Sequence, residues 1–174
     1  MVRISWRIAV GLALALSSTT PVAGAPAQNP IAPSVRDGLY VKDVVIDWLA
    51  PENAADPDYA SKKAEMIAAL KSQISGQFKY SPWGATAVVL HVRLSSFHRY
   101  DIVGDVAVLR EADQQELGTY GRIEGGYVGQ ASGGGLLGAV VGLASVPDPT
   151  LGSAYCFAMR LRARFNDFSL PNCP

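Results

Sequence analysis

Acid–base chemistry in this chain would have to start from very few side chains. There are two histidines, His91 and His98. His91 sits in an alternating stretch, on the face opposite Val88, Leu90 and Val92; His98 sits in the run Phe97-His98-Arg99-Tyr100-Asp101. Neither has a second ligand at metal spacing, such as His-x-x-x-His or Cys-x-x-Cys, so no metal or cofactor is expected. Asp101 and Asp105 are close in sequence, but paired carboxylates work at a set separation across a cleft, which spacing alone does not supply. No Gly-x-Ser-x-Gly elbow offers a hydrolase nucleophile. The glycine-rich stretch lacks the Lys-Ser/Thr ending of a phosphate loop, and no dinucleotide fingerprint opens a helix after a first strand. The expectation is a protein that is not an enzyme. The enzymatic alternative is a site around His98, Tyr100 and Asp101.

The cysteines carry a different chemistry. Cys156 lies in a predicted helix and Cys173 in the tail beyond it. From Cys156 to the end of that helix the rise is roughly 15 Å, and the tail can reach back up to about 25 Å. A Cys156–Cys173 disulfide is therefore sterically open, and closing so short a loop contributes on the order of 3 kcal/mol. The alternative is two unpaired thiols, with Cys156 simply buried. A disulfide needs an oxidising compartment, and the N-terminus supplies a route to one. Arg3 and Arg7 precede an uninterrupted apolar run over 8–16, then a small, polar, Pro-containing stretch. That order matches a secretory signal, and the run is too short for a membrane span of roughly 20 residues. Cleavage after Gly24 is expected, with Ala27 as the alternative, because a cut after Ala25 would place Pro26 next to the scissile bond. Residues 1–24 are then the signal, 25–36 a flexible Pro/Ala-rich leader, and 37–174 a single domain. No cysteine stands near the cut to accept a lipid.

Hydrophobic residues make up 49% and charged residues 17%, too apolar a balance for a disordered chain. Removing Arg3 and Arg7 leaves 13 basic against 15 acidic residues, a net of −2, so no basic field points to nucleic acid.

The elements that must position these groups follow from period. Residues 39–48 read as a strand, with Val44, Ile46 and Trp48 on one face and Asp43 and Asp47 on the other. A helix follows, with Asp56 as N-cap, Pro57 at its first position and Gly76 at its end; Met66, Ile67, Leu70 and Ile74 form its apolar stripe. The loop 78–84, with Tyr80 and Trp83, is either a plug over the core or an aromatic ligand contact. Three strands come next. Val88, Leu90, Val92 and Leu94 alternate with Val89, His91, Arg93 and Ser95. Val106 and Val108 alternate with Ala107 and Leu109. Leu117, Thr119 and Ile123 alternate with Tyr120, Arg122 and Glu124. A last helix is capped by Asp148 and Pro149, with Leu151, Ala154, Ala158, Leu161 and Phe165 as its stripe and Arg160, Arg162 and Arg164 at its end. The order is β-α-β-β-β-α. The predicted fold is α+β, a mostly antiparallel sheet of about four strands with two helices packed on one face.

A Gly-rich insertion over 125–146 interrupts this grammar. Gly121, Gly125, Gly129 and Gly133 are four apart, and Gly134, Gly138 and Gly142 repeat the spacing one residue out of phase. Such spacing lets helices approach closely. The tract reads as an apolar loop, as a short helix docked on a second copy or a partner through Gly134, Gly138 and Gly142, or as a membrane-inserting segment over 127–146.

The strand with Tyr-Val-Lys-Asp-Val-Val-Ile at 40–46, the strand with Val-Val-Leu-His-Val-Arg-Leu-Ser-Ser-Phe at 88–97, the Asp-containing turn, the Gly-rich segment and the last helix together resemble a group of uncharacterised exported bacterial envelope proteins. The resemblance covers most of 40–164, and its motifs are loose. It implies a small α/β module of the cell envelope and transfers no functional residues. This chain departs from the lipoproteins of that group in lacking a lipobox cysteine. The functional expectation is an exported, non-enzymatic periplasmic protein. It would act as a binding or accessory module on an unknown envelope protein or on itself, with peripheral membrane contact as a further option. The alternative is a membrane-associated structural protein that uses 127–146.

Overall fold

The computed structural model describes residues 29–78, 84–126, 148–171 and 173. The signal, the loop containing Tyr80 and Trp83, and the candidate association residues Gly134, Gly138 and Gly142 lie outside the described residues. The elements in order are α1 (Pro33–Arg36), β1 (Leu39–Trp48), α2 (Tyr59–Phe78), β2 (Thr86–His98), β3 (Asp101–Arg110), β4 (Glu116–Gly125) and α3 (Pro149–Phe165).

The four strands form one sheet in the order β1-β2-β3-β4. The β2/β3 and β3/β4 ladders are antiparallel, but β1 pairs with β2 in parallel. The sheet is therefore mixed. The cause is α2: a helix between two neighbouring strands returns the chain to the end where it began, and the second strand must then run with the first. Both long helices cover one face, as the α+β reading requires.

The core lies between that face and the helices. Val88, Leu90, Val92 and Leu94 from β2 meet Met66, Leu70 and Ile74 from α2 and Phe157 and Leu161 from α3, all fully buried. The C-terminal ends of the helices meet, with the Phe78 and Phe165 rings edge to face at 5.3 Å. Arg162 Nη1 donates to Gln77 Oε1 at 3.0 Å beside them.

Three local expectations shift. The Asp56 carboxylate does close the turn before α2, accepting from Asp58 N–H at 3.0 Å and from Lys62 Nζ, but regular helix begins at Tyr59. The helix also runs past Gly76, because Phe78 must reach the core. In β4, Tyr120 and Ile123 are both buried rather than on opposite faces. Opposite β4, the pairing steps from Gly104↔Ile123 to Val106↔Tyr120, so β4 carries an extra residue there, and Arg122 takes a φ of 29°. Such a bulge inverts the alternation beyond it. In α3, Asp148 Oδ1 accepts from Thr150 N–H at 2.8 Å as expected. The stripe, however, is centred on Phe157, and Leu151 faces outward.

Residues 29–36, read from the sequence as part of a leader, form a clasp on the domain. Asn29 Nδ2 donates to the Arg164 and Phe165 carbonyls at 2.8 and 3.2 Å and to Asp167 Oδ1 at 2.9 Å. Its Oδ1 accepts from Ile31 N–H and from Tyr120 Oη. One side chain thus serves two carbonyls of the last helical turn, adding to the Asp167 N–H that reaches Arg164. Arg36, with a side chain 10% exposed, bonds Asp167 through Nη2 at 2.6 Å. Asp167 itself has a φ of 58°, and Phe168 N–H returns to the Ala163 carbonyl at 2.8 Å. This is the left-handed helix ending that glycine commonly makes. Here an aspartate supplies both the turn and the carboxylate. Burial pushes the Tyr120 phenol up to about 12.

Cys156 and Cys173 are brought to bonding distance, with Cα atoms 5.5 Å apart. The tail doubles back along α3 to do this.

Two outcomes test this architecture. The first concerns Gly125, where an added Cβ would stand 2.6 Å from the Ser153 carbonyl oxygen and 2.8 Å from Phe157 Cβ. Gly125→Ala should cost about 1–3 kcal/mol in urea unfolding, and a neutral result would show that the sheet–helix contact is loose. The second concerns pH. The Arg36 hydrogen bond, then the Asn29 one, holds the Asp167 carboxyl below its ordinary value of 3.8. A depressed folded-state value means the clasp contributes fully above about pH 4 and fades as pH falls through the folded value. Asp167→Asn should lower the urea midpoint at pH 7 and converge with wild type in acid. A gap that persists in acid would remove the ionic account of the clasp.

Candidate functional site: the helix-free sheet face

With both long helices on one side, the side chains of the opposite face project from β1 to β4 with no helix over them among the described residues. Register sets them in rows. Asp47, Arg93 and Asp105 are cross-strand partners in one row; Val45, His91, Ala107 and Thr119 are partners in the next. Arg93 Nε donates to Asp105 Oδ2 at 2.7 Å, and Nη2 reaches the same oxygen. His91 Nδ1 stands 3.6 Å from Asp47 Oδ2, beyond a hydrogen bond. The side chains of Asp47, His91, Arg93 and Asp105 are all between 29% and 45% exposed, which leaves them accessible yet braced by neighbours. Val89, Val103 and Leu109 are half-buried around them.

The chemistry open to this face is limited by what flanks the histidine. In triad-type catalysis a His–carboxylate pair acts as base and orienter for a nucleophile in hydrogen-bond reach. The cross-strand neighbours of His91 are Val45 and Ala107. The nearest hydroxyl in its row, Thr119, is two strands away, about 9–10 Å at ordinary strand spacing. The face sets out two acids, one arginine and one imidazole, spaced by strand geometry and separated by short apolar side chains.

His98, Tyr100 and Asp101 come together for another reason. They make the β2–β3 hairpin, with His98 and Asp101 paired across it and Arg99 and Tyr100 both left-handed, at φ 48° and 71°. A two-residue hairpin of this type demands positive φ at both positions, which glycine and asparagine supply cheaply. Here the aromatic side chains hold it instead. Tyr100 meets Phe97 edge to face at 6.5 Å, and Phe97 meets Trp48 at 5.0 Å and Tyr59 at 5.8 Å. Trp48 Nε1 donates to Tyr59 Oη at 3.2 Å, and Tyr59 Oη donates to the Pro51 carbonyl at 2.8 Å. The cluster reads as a structural anchor. Asp105, near Asp101 in sequence, is separated from it in role by its bond to Arg93.

Among the described residues, no group of three His, Cys, Asp or Glu side chains could hold a metal ion, and no helix is long and apolar enough to cross a membrane. Comparison with models of known families, with curated proteins and with solved structures finds no match for this chain. The charged row and the Asn29–Arg36–Asp167–Tyr120 clasp were both missed by sequence reasoning. The row becomes visible only once register aligns Asp47, Arg93 and Asp105. The clasp spans 138 residues of sequence between Asn29 and Asp167, and no local pattern encodes it.

If the row serves recognition, it should matter little to folding. Arg93→Ala removes a half-exposed ion pair and should change thermal stability by less than about 1 kcal/mol. A loss of several kcal/mol in calorimetry would make the row structural.

Proposed function

We propose that this chain is an exported protein of the bacterial cell envelope, resident in the periplasm. It acts as a non-enzymatic binding or accessory module whose contact surface is the helix-free sheet face. The observation that carries the reading is that face, where a register-aligned row of Asp47, Arg93 and Asp105 stays accessible beside His91 while both long helices cover the other side. Interleaved charges of both signs favour a partner surface of complementary pattern and set specificity more than raw affinity. The envelope location is supported by the signal-like order of Arg3, Arg7 and the apolar run. It is supported again by a Cys156–Cys173 pair at disulfide distance, an arrangement at home in oxidising compartments. The resemblance to exported envelope proteins points the same way. The glycine tract, with Gly134, Gly138 and Gly142, remains a second reading in which the chain associates with itself or inserts in a membrane.

Expression of the full-length protein in a bacterium, followed by fractionation and crosslinking, tests the proposal. The processed chain should be released with the periplasmic fluid. Non-reducing mass spectrometry should find a linked Cys156–Cys173 peptide, and an envelope protein should crosslink to the wild type. Arg93→Glu should reduce that crosslink roughly tenfold, about 1.4 kcal/mol, with circular dichroism unchanged. Free thiols at both cysteines would end the export reading, and an undiminished crosslink would end the assignment to this face.

A further inference from the structure

On the opposite side of the domain, four of the seven exposed large apolar side chains among the described residues fall on one strip. Leu151 is 47% exposed, Tyr155 40%, Phe168 65% and Leu170 54%. The first two share the outward face of α3 with the half-buried Met159 and the exposed Arg162, since positions four apart, and then three, stack on one side of a helix. The other two lie on the tail. The Phe168 N–H is fixed to the Ala163 carbonyl at its start, and the Cys173–Cys156 link fixes it at its end, next to Tyr155. The tail therefore runs back along the helix and holds Phe168 and Leu170 beside it. Water-facing apolar side chains held in place like this mark an interaction surface.

Three observations select the occupant. The strip has six side chains, against the 20–30 residues a side of a stable protein–protein interface. Its one ionic side chain is a cation, Arg162, since Arg160 and Arg164 turn to the Glu124 and Gly121 carbonyls of β4, and the nearby Asp167 is already bonded to Arg36. Finally, the stretch 127–146, which carries no Asp, Glu, Lys or Arg, ends in sequence just before the Asp148 cap of α3. Aromatic and aliphatic side chains beside arginine are the composition of helices that lie on anionic bilayers.

We propose that the outer face of α3 and its disulfide-tethered tail form a docking surface for an anionic phospholipid membrane. Phe168, Leu170, Tyr155 and Leu151 enter the headgroup boundary and Arg162 meets the phosphates. This surface is on the layer opposite Arg93 and Asp105, so the protein can lie on a membrane and keep its sheet face free. The inference stands whether or not that face binds a partner.

Sedimentation of the processed protein with vesicles of phosphatidylglycerol and phosphatidylethanolamine, and separately of phosphatidylcholine, is the test. Binding should favour the anionic vesicles, weaken with added salt, and fall roughly tenfold in the double variant Phe168→Ser, Leu170→Ser. Arg162→Glu, which leaves the apolar strip intact, should also weaken it. Both variants alter exposed side chains, and the Cys156–Cys173 peptide and circular dichroism report that they fold. Absence of wild-type binding to either vesicle would overturn the proposal. So would full binding by the double variant, which would move the contact to the 127–146 segment. A wild-type dimer that the double variant breaks, seen by light scattering, would assign the strip to a second copy instead.

Discussion

The seat of α3 on the sheet is the contact from which the rest of the structure hangs. Phe157 is fully buried against β4 at Gly125, a position where even a methyl group would meet the Ser153 carbonyl. Such an approach fixes the height and rotation of the helix above the strands. Every later attachment uses that fixed helix. α2 meets it at Phe165 and Gln77, the N-terminal clasp closes on its last carbonyls, and the tail is tied to its middle at Cys156. A domain of this size has a modest core, and this one ties its second helix, its N-terminal clasp and its tail to the same helix.

The same helix protects the sheet. As the edge strand, β4 would otherwise offer free carbonyls to another chain. Arg160 Nη1 donates to the Glu124 carbonyl at 2.9 Å, and Arg164 Nη1 donates to that of Gly121. Two of the three arginines near the helix end are thereby committed to the sheet. The other edge is handled differently: β1 carries a register irregularity between Val41 and Asp43, and Lys42 within it bonds Glu111. A bulge and a lysine are ordinary means of discouraging edge pairing.

Much of this was legible in the residues. Alternation over 88–94 placed Val88, Leu90, Val92 and Leu94 on the core face, and Asp148 with Pro149 marked the start of α3 to the residue. Those signals are local, set by side-chain period and by a single cap. The misses share the opposite character. The parallel β1/β2 ladder is a property of topology, Tyr120 changed faces because of one inserted residue in β4, and Leu151 pointed outward because helix rotation is decided by Phe157 and Gly125 together. The candidate face was half legible. His91 and Arg93 were assigned to the side away from the core, but only register brings Asp47 and Asp105 beside them. The clasp could not be read at all, since Pro- and Ala-rich sequence says nothing about a partner at Asp167.

That separation has a consequence for biogenesis. Asn29 and Arg36 are among the first residues of the folded domain to leave a ribosome or a translocation channel, and Asp167 is among the last. Contacts so distant in sequence form late, because a long chain must be closed before they can be made. The clasp therefore acts as a check on completeness. A chain that stops short of residue 167 lacks the carboxylate that Arg36 and Asn29 share, so its N-terminal segment is held by fewer bonds and opens more readily to proteases.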